Sequence, residues 1–524
     1  MLFWQTSRCL AYLQEFLMSL EKSHVVVLII PNSKWFGKRK WLCLPYAALL
    51  ITSILKPVCS FSILDANGAD LSLEDVGNRL EALNPAAVLI TAGSVEYHRQ
   101  AHAAAEVARR ACPNAVTIMG GIYPTVLPEE AAKDPNLDWV FLNHAEERFL
   151  PFLDLVFSDN PKEARAFPGI AYKNELGFVV ETQTDKHIGS VKEMVRPDYS
   201  MVDMEPYLAQ NSLDYQFNSQ RPSAFIITSY GCPNNCLFCA SRTISGRRTV
   251  FRPLEHVLDE IDFLVKEHGV GNIIFLDDAL LLKRSRLISL LGELQKRGYG
   301  LAWKAASVAA WQLDPELLTI MRQSGCEQIT ISVESGSQRV LTEIIHKPLK
   351  LDIIPGIVRK CRELGIACGA NFVIGLPGET WEDLRQTFSF ADSCDFDVAH
   401  FHIATPLPKT DLYQICKENN YLPDDFSFLD PNFFGYAYGF ITTNEFTPLE
   451  LAVLRAYEWD RINFATPERA ARVARMYHST PERLAEHRRM TRRRLGLHVE
   501  GMSESLLQKA RHKLLDDAAQ SIQG

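Results

Sequence analysis

The stretch Cys232-Pro-Asn-Asn-Cys236-Leu-Phe-Cys239 follows the apolar run 224–229 and places three thiols at C-x3-C-x2-C spacing. Three close cysteines can ligate three irons of a four-iron cluster and leave the fourth iron without a protein ligand, whereas a purely electron-transferring cluster usually has four thiolates. An iron without a protein ligand can bind a substrate. The competing interpretation is a zinc site whose fourth ligand lies elsewhere in the chain.

Size and composition indicate a globular protein of several domains. At 524 residues the chain exceeds the length at which one hydrophobic core stops growing, which predicts two or three domains. The net charge of −8 argues against a general nucleic-acid binder, so we expect no nucleic-acid partner. The twelve cysteines form no dense framework of pairs, which is typical of a reducing cytoplasm.

The apolar segments predict no membrane span. The longest one, 44–55, is shorter than the roughly 20 residues that a spanning helix needs. The first segment, 1–23, has the pattern of an amphipathic helix without the continuous apolar block of a signal peptide. Peripheral membrane contact through this helix is the alternative to a cytoplasmic location.

The segment 24–159 alternates short apolar runs with helical patterns. This alternation predicts βαβ units in an α/β fold, a doubly wound parallel sheet of Rossmann type. Ligands of such sheets bind at the carboxyl ends of the strands. The residues expected there are 31–32, 65, 92–97, 120–124 and 143–146.

The next two segments differ in regularity. Between 160 and 222 turn residues and short β-like pieces predict a linker with a hairpin. From 223 to 443 the alternation returns, and six βα units predict a partial barrel whose site lies at the strand C-terminal ends. The six predicted strands are 224–229, 272–276, 302–306, 328–333, 369–374 and 400–403.

The remaining segment, 444–524, is predicted to be a helical C-terminal region. Thr447, Thr466 and Thr480 each precede a proline and match a helix N-cap followed by proline at the first helical position. The basic run 488–494 could bind phosphates, although a solvated helix face is the preferred interpretation.

With Phe238 before its last thiol, the cysteine motif resembles the signature of the radical S-adenosylmethionine (radical SAM) superfamily. This resemblance implies a [4Fe-4S] cluster on Cys232, Cys236 and Cys239. It also implies that the amino and carboxylate groups of SAM chelate the unique iron, and that Phe238 belongs to the cofactor site.

Three further strand ends resemble motifs of the same superfamily, in the expected order. Asp277 and Asp278 resemble an F-x-D-D motif, Glu334 begins an E-S-G segment, and Gly375 begins a G-x-P-G-E turn. The resemblance implies that these residues contact SAM. Asp278 as a helix N-cap and Glu334 in a structural salt bridge remain alternatives. Arg252 and the pair Trp303 and Lys304 are additional candidates near the site.

In the N-terminal segment, Gly120-Gly121-Ile122-Tyr123-Pro124-Thr125 with the following Pro-Glu-Glu resembles a stretch of B12-binding domains. The resemblance implies that Gly120 and Gly121 bind cobalamin together with Ser94 and Tyr97, while a tight βα turn is the simpler role for the glycines. The D-x-H-x-x-G motif that supplies a lower histidine ligand in other B12 proteins is absent, and 143–147 departs from the usual G-E-x-E turn. Neither His98 nor His144 is assigned as a cobalt ligand.

Taken together, the pattern is closest to cobalamin-dependent radical SAM methyltransferases, including those that methylate hydroxyethylphosphonate. The resemblance implies methyl transfer to an unactivated carbon of a small-molecule or natural-product intermediate, with an external one-electron reductant. Oxidation, cyclisation or rearrangement without methyl transfer is the alternative. A non-catalytic zinc-binding module is a more remote one.

Overall fold

The computed structural model describes residues 24–158, 160–183, 195–208, 221–434 and 438–494. The helix predicted over 1–23, parts of the predicted linker and the end of the C-terminal region lie outside these residues. The chain divides into two compact units. The N-terminal unit comprises Met1–Gln210, Thr243–Gly246 and Val250–His256, and the barrel unit comprises Asn211–Arg242, Arg247–Thr249 and Val257–Gly524.

Within its described residues, the N-terminal unit is built on a seven-stranded sheet of order β2-β1-β3-β4-β5-β6-β7. The strands are β1 Val25–Ile30, β2 Ser60–Asp65, β3 Ala87–Thr91, β4 Val116–Gly120, β5 Trp139–Phe141, β6 Ile170–Lys173 and β7 Val179–Glu181. The first five are parallel, and β6 and β7 are antiparallel. The strand order reverses between β1 and β3, the point where doubly wound sheets bind ligands.

The helices of this unit fill the connections between the strands. Leu73–Leu83 begins at a capping box of Ser72 with Asp75 and ends at Asn84 in the left-handed conformation. The α-helices are Tyr46–Leu55, Leu73–Leu83, His98–Ala111, Ile122–Val126, Pro128–Ala132, Phe149–Phe157 and Glu205–Leu208, with 3-10 turns at Trp35–Gly37, Val95–Tyr97 and Pro161–Ala166. The predicted α/β alternation is therefore confirmed.

The hairpin predicted in the linker has a structural role that its sequence did not indicate. Its two strands, β6 and β7, pair with each other, and β6 also pairs with β5 of the sheet. Ile170 and Ala171 of β6 are fully buried, and Ile170 belongs to the core cluster of the unit. The hairpin thus extends the sheet of the N-terminal unit.

The barrel unit contains a parallel sheet of order β15-β14-β13-β12-β11-β8 in its described residues. Its strands are β8 Ser223–Ile226, β11 Asn272–Phe275, β12 Ala302–Val308, β13 Cys326–Glu334, β14 Ala367–Ile374 and β15 Val398–Ile403. The short strand β9 Ser229–Tyr230 follows β8, and β10 Val250–Phe251 lies in the segment Val250–His256 of the N-terminal unit. Because β8 and β15 are the two edges, the six strands form the predicted partial barrel.

Helices follow these strands in the βα order that the sequence predicts. Helix Leu254–His268 buries an apolar stripe that includes Val257, Ile261 and Leu264. The other helices are Ser241–Ile244, Arg284–Arg297, Pro315–Gln323, Ile354–Leu364, Trp381–Cys394 and Asp411–Glu418, with a π-helix at Val340–Ile345 and 3-10 turns at Ala310–Gln312 and Leu351–Ile353.

Three further helices, Pro448–Asn463, Pro467–Met476 and Pro481–Arg494, end the described chain. Each begins after a threonine whose hydroxyl accepts a backbone N–H of the first turn, as predicted for Thr447, Thr466 and Thr480. Within the basic run 488–494, Arg488 pairs with Asp460 and lies over the ring of Phe464.

None of the helices in the described part of the chain is both long and apolar enough to cross a bilayer.

Replacing Thr447 by alanine removes the capping box of helix Pro448–Asn463. We expect a local cost of about 1 kcal/mol, seen as faster hydrogen–deuterium exchange in the first turn of this helix. Thr466→Ala is the matched control, because it uncaps helix Pro467–Met476 instead. Unchanged exchange in the Thr447→Ala variant would contradict the assignment of the cap.

Candidate active site

The segment that carries the three cysteines is held through the backbone of Leu237, which is buried between Cys236 and Cys239. Its N–H donates to the carbonyl of Ile345, 3.2 Å away, at the end of the π-helix. Its carbonyl accepts from the N–H of Leu412 at 3.0 Å, in helix Asp411–Glu418. Two separate elements of the barrel unit therefore fix the position of this segment.

The three thiols are half-buried and lie close enough to influence one another electrostatically. Burial raises the pKa of Cys236 to about 11, while the ammonium of Lys347 opposes this rise. Burial also raises the pKa of Cys239, and its sulfur accepts the N–H of Ser241 at 3.5 Å. The sulfur of Cys232 accepts from Asn234 Nδ2 at 3.4 Å.

This set of three cysteine sulfurs suits a four-iron cluster in which one iron keeps no protein ligand. Within the described residues, no group of three or more His, Cys, Asp or Glu side chains is arranged to hold a single metal ion. Phe238, which directly precedes Cys239, is half-buried.

The paired acids after β11 hold the chain that leads into the cysteine segment. Asp277 is buried and accepts hydrogen bonds from the N–H and hydroxyl of Thr228 and from the hydroxyl of Ser229. Burial raises the pKa of Asp277, and these hydrogen bonds only partly offset the effect. Asp278 accepts the N–H of Gly231 at 2.9 Å, directly before Cys232. In this structure the two acids brace the cysteine segment.

Glu334, at the end of β13, forms a buried ion pair with Lys347, with 2.9 Å between Oε1 and Nζ. Both side chains are at most 10% exposed, and the ammonium lies 5.4 Å from the centre of the Trp311 ring. Glu334 has a positive φ of 72°, which is uncommon outside glycine. The pair acts electrostatically on Cys236, so the predicted E-S-G residue and the cysteines share one site.

Lys347 is the residue at this site to which the sequence assigned no role. It follows the π-helix Val340–Ile345 and lies thirteen residues beyond its partner. Its stretch, 340–349, also contains Thr342, Glu343 and His346, so the sequence carried no signal that Lys347 is buried. Sequence order alone could not identify Glu334 as its partner.

Gly375, at the turn after β14, is required by the packing of the protein itself. Its φ is +82°, and a Cβ there would lie 2.3 Å from a methyl group of Leu451. The turn is closed by Glu379, whose carboxylate accepts the N–H groups of Gly375 and Leu376. Burial raises the pKa of Glu379 to about 8. The contact of Gly375 with SAM stays a prediction.

The three additional candidates, Trp303, Lys304 and Arg252, lie in different parts of the structure. The indole of Trp303 is fully buried and donates to Ser324, so Trp303 is a core residue. Lys304 lies on the opposite side of β12 and contacts His478, with 3.2 Å between their nitrogens. Arg252 is a buried residue of the N-terminal unit and donates to the hydroxyl of Tyr46.

The N-terminal unit contains a cavity of about 190 Å³ at the carboxyl ends of its central strands. Most of its wall is apolar, including side chains from β1, β3 and β4. Gly120 and Gly121 line it, as do the loop residues 143–146. The predicted glycines and the predicted edge of the pocket therefore lie together at the switch point of the sheet.

Packing within the protein explains the glycine at position 121 but not the one at position 120. Gly121 has a φ of +125°, and a Cβ there would lie 2.5 Å from the carbonyl oxygen of Ala92, so the simpler role in a tight turn applies. A Cβ at Gly120 would meet nothing closer than 3.8 Å. Gly120 is thus the position where a larger side chain would enter the cavity.

Ser94 and Tyr97 do not border this cavity. The hydroxyl of Ser94 caps the 3-10 turn Val95–Tyr97 by accepting the N–H of Glu96. The ring of Tyr97 stacks on that of Trp41, with 5.3 Å between the centroids. Both residues have local structural partners, and their contact with cobalamin stays a prediction.

The two histidines near the predicted pocket, His98 and His144, each have a polar group close by. His98 Nδ1 lies 2.9 Å from the carbonyl of Val95, and burial lowers the pKa of His98. His144 borders the cavity and lies 3.6 Å from Glu146. Although burial favours the neutral acid, the neighbouring His144 holds the pKa of Glu146 below its ordinary value.

Residues 226–391, which include the cysteine segment and strands β11 to β14, match the Radical SAM superfamily. These residues form a radical SAM domain. The predicted superfamily is confirmed, and with it the requirement for SAM and a [4Fe-4S] cluster that the resemblance implied.

The chain is similar in sequence to curated proteins over most of its length. An uncharacterised methyltransferase of Pyrococcus horikoshii is 29% identical over 379 residues, which cover 72% of this chain and 79% of that protein. The cytidylyl-2-hydroxyethylphosphonate methyltransferase of Streptomyces wedmorensis is 27% identical over 371 residues, or 66% of this chain and 69% of that protein.

Its fold is similar to that of OxsB, a cobalamin-dependent SAM radical enzyme solved with aqua-cobalamin and SAM bound. The TM-score is 0.67 at 15% sequence identity, and the alignment covers 96% of this chain and 81% of OxsB. This likeness confirms the predicted fold class, a doubly wound parallel sheet followed by a partial barrel.

Lys347→Met should destabilise the radical SAM domain by about 3–5 kcal/mol, because it leaves the carboxylate of Glu334 buried without its counter-ion. Replacing Glu334 by glutamine in the same chain should restore much of the loss. The melting temperature measures both effects. Lys360→Met is the control, since its pair with Glu363 is exposed. A loss no larger than that of the control would contradict the role of the pair.

Glu379→Gln should change how stability depends on pH. The pKa of Glu379 is raised from 4.5 to about 8, so its stabilising contribution is full below pH 4.5 and is lost as pH rises through about 8. Glutamine keeps an acceptor oxygen but cannot ionise. The wild-type melting temperature should therefore fall relative to that of the variant over this range. A constant difference, like that expected for the exposed Glu382→Gln control, would refute the assignment.

Proposed function

We propose that this protein is a cobalamin-dependent radical SAM methyltransferase that transfers a methyl group to an unactivated carbon of a small molecule or natural-product intermediate. The observation that carries the proposal is the cysteine segment at the start of the radical SAM domain, whose three thiols act electrostatically on one another. Two similar proteins bear the name methyltransferase, and the structurally similar OxsB was solved with cobalamin.

Cys232, Cys236 and Cys239 would hold the [4Fe-4S] cluster. Their loop is held before Cys232 by Asp278 and at Leu237 by two backbone hydrogen bonds, and these contacts would orient the thiols toward the cluster. Bound and reduced, the cluster supplies the electron that cleaves SAM to a radical. The chain's own task is to orient these groups and to exclude water.

SAM would bind at the strand ends that carry Phe238, Asp277, Asp278, Glu334 and Gly375. Glu334 suits this role best, because it is buried, charged and electrostatically coupled to both Cys236 and Cys239. Asp277 and Asp278 would act by holding the cysteine segment in place.

Cobalamin would bind to the N-terminal unit, with its nucleotide tail in the cavity at the switch point. The cavity suits such a group because its wall is largely apolar and because Gly120 leaves room beside it. Ser94, Tyr97 and Gly121 would complete the surroundings. The same proposal includes a reducing cytoplasm, an external one-electron reductant and no nucleic-acid partner.

The direct test is anaerobic purification with hydroxocobalamin, followed by incubation with methyl-deuterated SAM, reductant and a small-molecule extract. The proposal predicts 5'-deoxyadenosine, retained corrin and a deuterated methyl group in a product. Formation of 5'-deoxyadenosine with a changed but unlabelled product would indicate oxidation, cyclisation or rearrangement instead. Absence of 5'-deoxyadenosine would contradict both.

Gly120→Leu should prevent corrin binding, because its side chain would enter the cavity where a Cβ alone is accommodated. We expect normal iron content but little corrin after desalting, measured by absorption spectroscopy. Gly356→Leu, at an exposed helical position with nothing within 4 Å of a Cβ, is the control. Equal corrin retention in both variants would argue against this cavity as the binding site.

A further inference from the structure

One helix end holds both the cysteine segment and a buried cation. The last carbonyl groups of a helix have no partner within the helix and need one elsewhere. At the end of the π-helix Val340–Ile345, the carbonyl of Ile345 accepts the N–H of Leu237, the residue after Cys236, at 3.2 Å. Lys347 follows two residues later. The backbone beside Cys236 and the backbone of Lys347 are therefore held by the same short stretch of chain.

The ammonium of Lys347 is confined by its neighbours. Its Nζ lies 2.9 Å from Oε1 of Glu334 and 5.4 Å from the centre of the Trp311 ring, and the side chain is 4% exposed. The backbone N–H of Lys347 donates to the carbonyl of Leu341 at 2.8 Å. A lysine side chain is long and flexible when it is exposed. These contacts instead keep its charge at one place in the barrel unit.

The two charges of this ion pair act on the cysteines with opposite signs. Burial raises the pKa of Cys236, the ammonium of Lys347 opposes this rise, and the carboxylate of Glu334 adds to it to a smaller extent. Glu334 and Asp278 also contribute, after burial, to the raised pKa of Cys239. Because solvent screens buried charges only weakly, the pair affects the sulfurs although its total charge is zero.

The same charges would act on a cluster bound by these thiolates. Reduction of the cluster takes one electron from an external reductant and so adds one negative charge beside the cysteines. The net charge around an iron-sulfur cluster is one of the factors that set its reduction potential. By Coulomb's law a nearby cation favours the reduced form and a nearby anion favours the oxidised form.

We propose that Lys347 and Glu334 are positioning residues that set the reduction potential of the cluster, with opposite effects. Lys347 favours the reduced form, which is the form that cleaves SAM. Glu334 holds the ammonium in place and limits its effect. The inference rests on the proposed function only in that the three cysteines bind the cluster.

The test uses the full-length protein, anaerobically reconstituted with its cluster and free of SAM and cobalamin. The cluster is titrated with titanium(III) citrate at neutral pH, and electron paramagnetic resonance measures its reduced fraction at each solution potential. The double variant Lys347→Met with Glu334→Gln removes both charges and is the neutral reference. Each single variant differs from this reference by one buried charge, so that charge is what the comparison measures.

Relative to the reference, Lys347→Met alone leaves the carboxylate. It should lower the ratio of reduced to oxidised cluster about ten-fold at a fixed potential, which equals about 59 mV for one electron. Glu334→Gln alone leaves the ammonium and should raise the ratio by a similar factor. Either comparison tests the proposal by itself should the other single variant fail to fold. Lys360→Met is the control and should keep the wild-type potential, because its charge pairs with Glu363 instead.

Two results would overturn the proposal: equal potentials in the reference and the single variants, or a shift in the same direction in both single variants. The second result is expected if the substitutions act only by disturbing the packing around the cysteines. Iron content reports separately on the proposed function. Wild-type protein that binds no iron would contradict cluster binding by the cysteines, and with it this inference.

Discussion

The candidate active site depends on how the backbone of the cysteine segment is fixed. Both backbone polar groups of Leu237 are hydrogen-bonded: its N–H donates to the carbonyl of Ile345, and its carbonyl accepts the N–H of Leu412. Asp278 adds a hydrogen bond to Gly231 at the start of the segment. Buried backbone groups rarely remain unpaired, so these bonds select one conformation of the loop. The backbone that carries the three thiols is therefore held by contacts with the rest of the barrel unit.

Charge balance is the second constraint at this site. Glu334 and Lys347 would each be costly to bury alone, and they form an ion pair beside Cys236. The positive φ of Glu334 places its carboxylate at the point where β13 ends. Strain and burial of this kind are common at functional sites, where the surrounding structure must hold them. The ion pair thus connects the fold of the barrel unit to its chemistry.

Most of the fold could be predicted from the sequence because apolar periodicity determines which segments become strands and helices. The cysteine motif was equally readable, since its spacing is local. Contacts between segments far apart in sequence could not be predicted, and they account for the features that the sequence did not indicate. The pairing of β6 with β5 and the partnership of Glu334 with Lys347 both join residues that sequence order leaves apart. At Gly121 the motif was recognised from the sequence, but the contact that requires a glycine there was not: the backbone of Ala92 leaves no room for a side chain.

The most direct test of the account is electron paramagnetic resonance of the anaerobically reconstituted, reduced protein with and without SAM. Three protein thiolates leave one iron open, so the account predicts about four irons and a signal whose g-values change when SAM is added. One zinc per chain without iron, or a cluster signal that SAM leaves unaltered, would contradict it.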